Sequence, residues 1–362
     1  MSKHRIGIIG VGAIATMHAR AIADIEGAEL VAGVCRTEAN GRKFVDAFGG
    51  AWYGDFEAML DEVKPDVVTI ATPSGAHLEP LEACAARGVH VICEKPLEIS
   101  TQRVDAMIDA AERGGIVLAG IFPQRFNPVV GAVHAAATEG RFGPLATISS
   151  YVPWWRDDAY YAPGRWQGTL AMDGGGALMN QSIHGVDMLV WIAAAAGEHG
   201  GNPGANPVEQ VAAFTAQRGH DPSLIEVEDT AVAVMRFRDG SLGQILGATS
   251  MYPGTLKRFQ IGGRDGTAEI FEDKLTMFEF REERANDTAT LEQFAGQTTS
   301  GGGASDPMAI DYVNHTRNIS AALRAIDEGR PPSLDGREAR KAVAVIEAMY
   351  RSAAEGQCVS VG

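Results

Sequence analysis

The residues best suited to hold a ligand come first in the chain. Gly10-Val11-Gly12-Ala13-Ile14-Ala15 has the spacing Gly-x-Gly-x-x-Ala and stands between a predicted strand and a predicted helix. Glycine at the first position permits a tight turn, glycine at the second lets a pyrophosphate approach the backbone, and a small third residue lets the helix pack closely on the strand. The helix start, with Ala13 and Ile14 in its first turn, offers free N–H groups and a partial positive charge. This is the chemistry of dinucleotide binding. The next strand ends Gly33-Val34-Cys35-Arg36-Thr37. NAD sites usually place an acid there for the ribose hydroxyls. Arg36 stands in its place, and arginine pairs with a 2′-phosphate and stacks on adenine. Thr37 adds a hydroxyl, and Arg42 and Lys43 follow. The expectation is NADP, with NAD as the alternative in which Arg36 only covers adenine and Glu38 contacts the ribose.

Composition excludes other classes. The 31 Lys and Arg against 46 Asp and Glu leave a net charge of -15, which repels nucleic acid and anionic membrane alike. A bound anion therefore needs a local site. With 362 residues, 45% hydrophobic and 21% charged, the chain is of ordinary globular composition and long enough for about two domains. Its 43 glycines follow no three-residue period, so they speak for turns rather than collagen. Cys35, Cys84, Cys93 and Cys358 form no Cys-x-x-Cys pair, which favours free thiols in a reducing cytoplasm over disulfides or zinc. The histidines show no ligand spacing and no metal is expected. No Gly-x-Ser-x-Gly elbow is present, and no apolar run is long enough to span a membrane. The amino terminus, which superficially resembles a signal peptide, reads better as strand, glycine turn and helix.

Two kinds of element must position these residues. Strands are expected at 5–10, 29–35, 66–71, 89–93 and 116–120, with helices at 13–25, 38–48, 76–87 and 100–113 between them. This alternation predicts a doubly wound parallel sheet, a Rossmann domain over 1–122. Beyond it the rhythm changes. Helix 127–139 leads to strand 145–153, a long helix is expected at 176–194, and strands at 208–218, 226–238, 241–250, 256–263, 266–271 and 274–281 follow. Asp239-Gly240 and Asp265-Gly266 are hairpin signals. The expectation is an α+β domain over 123–362 with a large, mostly antiparallel open sheet. Loops are expected at 197–207 and 296–307, and helices at 308–328 and 336–354, the last a candidate to pack back on the first domain.

Three further segments complete a pattern. They are Ala71-Thr72-Pro73-Ser74 with His77, then Val91-Ile92-Cys93-Glu94-Lys95-Pro96, then the run from Gly174-Gly175-Gly176 through Asn180 and His184 to Asp187. With the glycine turn, and in this order along essentially the whole chain, they resemble the glucose–fructose oxidoreductase / inositol dehydrogenase / rhizopine-catabolism (Gfo/Idh/MocA) family. The resemblance implies a two-domain NAD(P)-dependent oxidoreductase acting on a sugar, inositol or related polyol, with Lys95 and His184 catalytic. It also implies cofactor contacts from Ala71, Thr72, Pro73, His77, Glu94, Lys95 and Gln124, and a homodimer or homotetramer. The family commonly has Asp at the position of Asn180, which cannot take a proton and is read as a hydrogen-bonder to substrate or nicotinamide.

The chemistry suits these residues. His184 is the candidate base for a hydroxyl proton, histidine being the side-chain type whose unperturbed pKa lies near neutrality. Lys95, following a strand's carboxyl end, is the candidate cation for a developing alkoxide. Asn180 and His184 lie four apart on one helix face, and Asp187 is a candidate to orient the His184 ring. Trp155, Arg156, Tyr160, Tyr161 and Trp166 supply aromatic faces and polar tips for a sugar; the competing reading is a buried aromatic cluster or an oligomer contact. Arg125, with Gln124 and Asn127, lies at the domain crossover; the resemblance places them near the nicotinamide or substrate, with Arg125 read as a substrate residue, and the competing reading is domain-hinge structure. Two other functions compete: a glycosidase that retains NAD and acts by transient oxidation and elimination, and a regulatory protein that binds cofactor without chemistry.

Overall fold

The computed structural model describes residues 3–197, 204–296, 304 and 311–362. It divides into two compact units. The first is Met1–Pro123 with Tyr312–Arg340, and the second is Gln124–Asp311 with Lys341–Gly362. The first unit thus includes residues 312–340, which a single boundary at 122 leaves out.

In the first unit, six strands run β1 (His4–Ile9), β2 (Ala28–Val34), β3 (Ala51–Tyr53), β4 (Val67–Ile70), β5 (His90–Cys93) and β6 (Leu118–Gly120). Their spatial order is β3-β2-β1-β4-β5-β6 and every pairing is parallel. The reversal of order beside β1 creates the crevice where doubly wound sheets bind ligands. All four residues of β4 are buried, as expected of a strand covered on both faces. Ile6 and Ile8 of β1 pack with Ala15 and Ile22 of helix Ala13–Ala23 and with Ile319 and Leu323 of helix Val313–Asp327. Each such buried aliphatic side chain contributes roughly 1.5–3 kcal/mol. The short β3 and the eight-residue helix Phe56–Val63 were not expected from the sequence; three residues are too few to show a period.

The second unit is built on an eight-stranded sheet ordered β13-β12-β11-β7-β10-β9-β8-β14. Its strands are β7 (Leu145–Pro153), β8 (Val208–Ala216), β9 (Thr230–Phe237), β10 (Leu242–Ala248), β11 (Arg258–Gly263), β12 (Gly266–Phe271), β13 (Lys274–Phe280) and β14 (Val359–Ser360). Only β7 and β10 pair in parallel; the other pairs are antiparallel. In β9, Ala231, Ala233, Met235 and Phe237 are buried and the residues between them face outward, the alternation of a sheet with one covered face. Helix Ile183–Ala196 lies on the covered face, so close that a side chain on Gly185 would meet Ser150 Oγ of β7 at 2.4 Å. The opposite face carries Phe214, 81% exposed, with Val232, Val234 and Leu242.

Some expectations needed adjustment. The helix expected at 176–194 begins as a π-helical segment, Ala177–Ser182, and continues as the α-helix Ile183–Ala196. The strand expected from 226 starts at Thr230, because residues 228 and 229 turn their carboxylates to backbone N–H groups. Helix Asp287–Ala295 and β14 were not expected. Most of the loops expected at 197–207 and 296–307, and the start of the helix expected at 308–328, lie outside the described residues.

Candidate active site

The glycine turn is constrained on one side and open on the other. Gly10 has φ of +94°, and a Cβ there would lie 2.8 Å from the Ala71 carbonyl and the Thr72 nitrogen. Only glycine tolerates that conformation and contact. The same approach sets the turn beside Ala71, Thr72 and Pro73. At Gly12 a Cβ would meet nothing within 4 Å. Gly12 begins helix Ala13–Ala23 with no side-chain cap, and no acid lies in the first turn. Gly12 and Ala13 are exposed and Ile14 is half-buried. An uncapped helix start facing open space fits a pyrophosphate.

At the end of β2, Arg36 and Thr37 are exposed. Glu38 is tied to Arg42 at 2.7 Å, and Arg42 also lies over the Trp52 ring. His77 is buried. Its Nε2 faces the Thr72 carbonyl at 3.0 Å, and its Nδ1 faces the carbonyls of Pro96 and Leu97 at 3.1 and 3.0 Å. It therefore joins the turn after β4 to the turn after β5.

Glu94 and the half-buried Lys95 follow β5. One oxygen of Glu94 faces His18 Nε2 at 3.0 Å, and the other accepts from the Lys95 N–H at 3.0 Å. His18 Nδ1 faces Thr69 Oγ1 at 3.1 Å, and His315 Nε2 lies 3.7 Å from Glu94. Burial raises the carboxyl pKa, but the His18 hydrogen bond and the nearby His18, His315 and Lys95 charges outweigh it and bring it down to about 2. No sequence spacing announced this grouping of His18, Glu94 and His315, whose ligand-capable atoms lie within 4.8 Å of one another. Within it, His18 and Glu94 are hydrogen-bonded, and Glu94 also accepts the Lys95 N–H.

In the second unit the Gly174–Gly176 run opens the helix that carries Asn180 and His184. Asn180 Nδ2 donates to Asp173 at 2.5 Å, and Asn180 Oδ1 accepts from Gln181 Nε2 at 3.0 Å. Asp173 is buried and accepts the Gly168 N–H at 2.8 Å. So a carboxylate does stand beside Asn180, supplied from seven residues earlier. Half-buried His184 lies in the first turn of the α-helical part. Buried Arg125 donates side-on to Asp187, from Nε at 2.8 Å and from Nη2 at 2.6 Å, and the guanidinium lies over Trp191. Arg125, expected at the substrate, is thus engaged in the core. Asn127 caps helix Pro128–Thr138 through the Val129 N–H. The buried Oε1 of Gln124 accepts no hydrogen bond from any described residue.

The aromatic segment divides. Arg156 is buried and donates to the Trp155 and Ala304 carbonyls and to Gln181 Oε1, with its guanidinium over Trp154 and Tyr160. Buried Tyr161 donates to Thr249 Oγ1 at 3.1 Å. These two are the supporting layer. Tyr160, Trp155 and Trp166 keep part of their surface. Tyr160 accepts from Gln181 Nε2, and burial pushes its phenol up to about 12, so it remains a neutral hydroxyl. Trp155 stacks on His220, whose Nε2 faces the Arg156 carbonyl at 2.8 Å. Buried Asp229 accepts the Arg218, Gly219 and His220 N–H groups and fixes that ring from behind. Asp173, Gln181 and Asp229 were absent from the sequence expectations; only the position of Asp173 against the glycine run could have drawn notice.

Residues 4–121 match the model of an oxidoreductase family's NAD-binding Rossmann fold, and residues 136–361 match that family's C-terminal alpha/beta domain. D-apiose dehydrogenase of Paraburkholderia graminis is 27% identical over 100% of this chain and 90% of its own length. Myo-inositol 2-dehydrogenase of Thermotoga maritima is 26% identical over 99% of this chain and 98% of its own. Among solved structures, WlbA dehydrogenase from Bordetella pertussis in complex with NADH and UDP-GlcNAcA superimposes with a TM-score of 0.87 at 29% identity, covering 100% of this chain and 98% of that one.

Proposed function

The chain belongs to the Gfo/Idh/MocA oxidoreductase family, and from that premise we propose that it transfers a hydride between a nicotinamide cofactor and a carbinol or carbonyl carbon of a sugar, inositol or related polyol. The observation that carries the reading is the match of both family domains, and the motif resemblance around Lys95 and His184 supports their roles. The bound dinucleotide would supply the hydride acceptor or donor. Gly12, Ala13 and Ile14 would hold its pyrophosphate through an open helix start. His184 takes the hydroxyl proton in oxidation and returns it in reduction. The Lys95 ammonium stabilises the oxyanion that forms. Asn180, held by Asp173 and Gln181, orients a substrate hydroxyl rather than moving a proton. Trp155, Tyr160 and Trp166 line the sugar.

NADP is the preferred cofactor in this proposal. Arg36 is exposed and makes no ion pair with any described residue, while Glu38, the acid that would serve an NAD ribose, is occupied by Arg42. We further propose that the exposed apolar face with Phe214 and Val234 is covered in a homodimer or homotetramer, since large exposed apolar patches mark interaction surfaces. The free thiols suit a cytoplasmic setting. A screen of sugars and polyols with both cofactors, read by nicotinamide absorbance, tests the activity. Lys95→Ala should lower kcat by about 10²-fold or more; full turnover in that variant contradicts the assignment of Lys95.

A further inference from the structure

We propose that Glu228 and Tyr350 are positioning residues that fix the helix carrying Asn180 and His184 by occupying the backbone donors at its start. The inference rests on the reading of His184 as the proton carrier. A helix begins with N–H groups that have no partner in its own backbone, and these are ordinarily met by a local cap or by water. Here two residues from distant elements meet four in succession. The Gly176 N–H donates to one Glu228 carboxylate oxygen at 3.0 Å, and the Leu178 N–H to the other at 2.8 Å. The Ala177 N–H donates to the Glu228 backbone carbonyl at 3.0 Å. The Met179 N–H donates to Tyr350 Oη at 3.2 Å, and that hydroxyl donates in turn to Glu228 at 2.9 Å. The next N–H, of Asn180, makes the first bond within the segment, to the Gly176 carbonyl at 3.0 Å.

The glycine run is shaped to this clamp. Gly174 has φ of +71° and ends the short helix Leu170–Asp173. A Cβ on Gly175 would lie 2.0 Å from Tyr350 Oη, and one on Gly176 would lie 1.8 Å from the Glu228 carbonyl oxygen. The two glycines therefore give Tyr350 and Glu228 their access. The carboxylate also faces the positive end of the segment's dipole. Burial raises the Glu228 pKa against the hydrogen bonds that hold it down, and burial with the Glu228 charge raises that of Tyr350, so the phenol stays a donor. The segment so held is a π-helical turn, a geometry often found at functional sites. Asn180 lies within it and His184 just beyond, so a shift at the clamp moves both.

Tyr350→Phe removes one hydroxyl and leaves the Glu228 contacts in place; Glu228→Gln replaces one acceptor by a donor that faces an N–H. Three readings are taken on the full chain: the titration of the His184 imidazole by NMR, assigned by its loss in His184→Ala; kcat and KM; and the cofactor dissociation constant. The proposal expects kcat to fall about 10–100-fold in each variant, as displacement of a catalytic group by an ångström does, with cofactor affinity unchanged and the imidazole titration shifted. The double variant should lose less than the product of the singles, because both act through one clamp. Unchanged kcat and imidazole titration in Tyr350→Phe, with or without a lowered melting temperature, overturn the proposal and leave a purely structural role. Should His184→Ala keep full turnover, the acid–base reading fails instead, and the imidazole titration in Tyr350→Phe still decides the clamp. If Glu228→Gln does not fold, Tyr350→Phe decides alone.

Discussion

The helix starts that follow Gly12 and Gly176 are finished in opposite ways. At Ala13 the turn is left open: Gly12 supplies no side chain, no residue caps it, and a Cβ placed there would meet empty space. At Ala177 the turn is closed: Glu228 and Tyr350 take its donors, and a Cβ on either preceding glycine would collide with them. Free N–H groups at a helix start attract an anion, whereas N–H groups already bonded to protein hold the helix in place. The first start is suited to receive a phosphate and the second to present side chains. Glycine serves both ends, by absence of a cap in one and by closeness of approach in the other.

Substitutions at the glycines should affect the two helix starts in opposite ways. Gly176→Ala should have the largest effect. With its Cβ 1.8 Å from a backbone oxygen, the loss of stability should be about 3 kcal/mol or more, measured by denaturant unfolding. Gly12→Asp should do the reverse. Gly12 has φ of -79° and open space, so aspartate fits as an N-cap and leaves stability equal or slightly higher. The cofactor dissociation constant should meanwhile rise by about 10²-fold, because a carboxylate would face the pyrophosphate. If Gly12→Asp binds cofactor as well as wild type, that helix start is not the phosphate site. Arg36→Ala sharpens the picture further out. A charged hydrogen bond is worth about 1.5–3 kcal/mol, so NADP affinity should fall about 10–100-fold in calorimetric titration while NAD affinity holds.

The smallest effect concerns Glu94. Its carboxyl falls from an ordinary 4.5 to about 2 in the folded chain. The folded state therefore binds the proton more weakly than the unfolded chain, and the ionised group contributes stability above 4.5 that is lost as pH falls toward 2. Thermal unfolding across that range should show a declining acid limb, and Glu94→Gln should flatten it. An unchanged limb in the variant would place the acid sensitivity elsewhere.

The first unit was largely legible in the sequence because its signals are local. β1, the glycine turn and helix Ala13–Ala23 lie within twenty residues, and β4 is a short buried run bounded by turns. The second sheet was legible as strands but not as an order, since the parallel pairing of β7 with β10 joins distant segments. At the site, the sequence pointed to Lys95, Asn180 and His184 through motif resemblance. It could not show that Asp187 would be paired with Arg125, or that Arg156 and Tyr161 would sit in the supporting layer. Nor could it show His315 beside Glu94, or Tyr350 against Gly175. Those contacts depend on how helices pack, and no local period encodes that.

Transfer of an isotope distinguishes hydride transfer from elimination at this site. A sugar or polyol found active in the screen is labelled with deuterium on the reacting carbinol carbon, and the cofactor released into solution is analysed by mass spectrometry and NMR. Hydride transfer predicts deuterium at C4 of the reduced nicotinamide, one equivalent per product formed, with the signal lost in His184→Ala. Product accumulating over many turnovers with the cofactor retained and its redox state unchanged would contradict the account and select the elimination chemistry of a glycosidase.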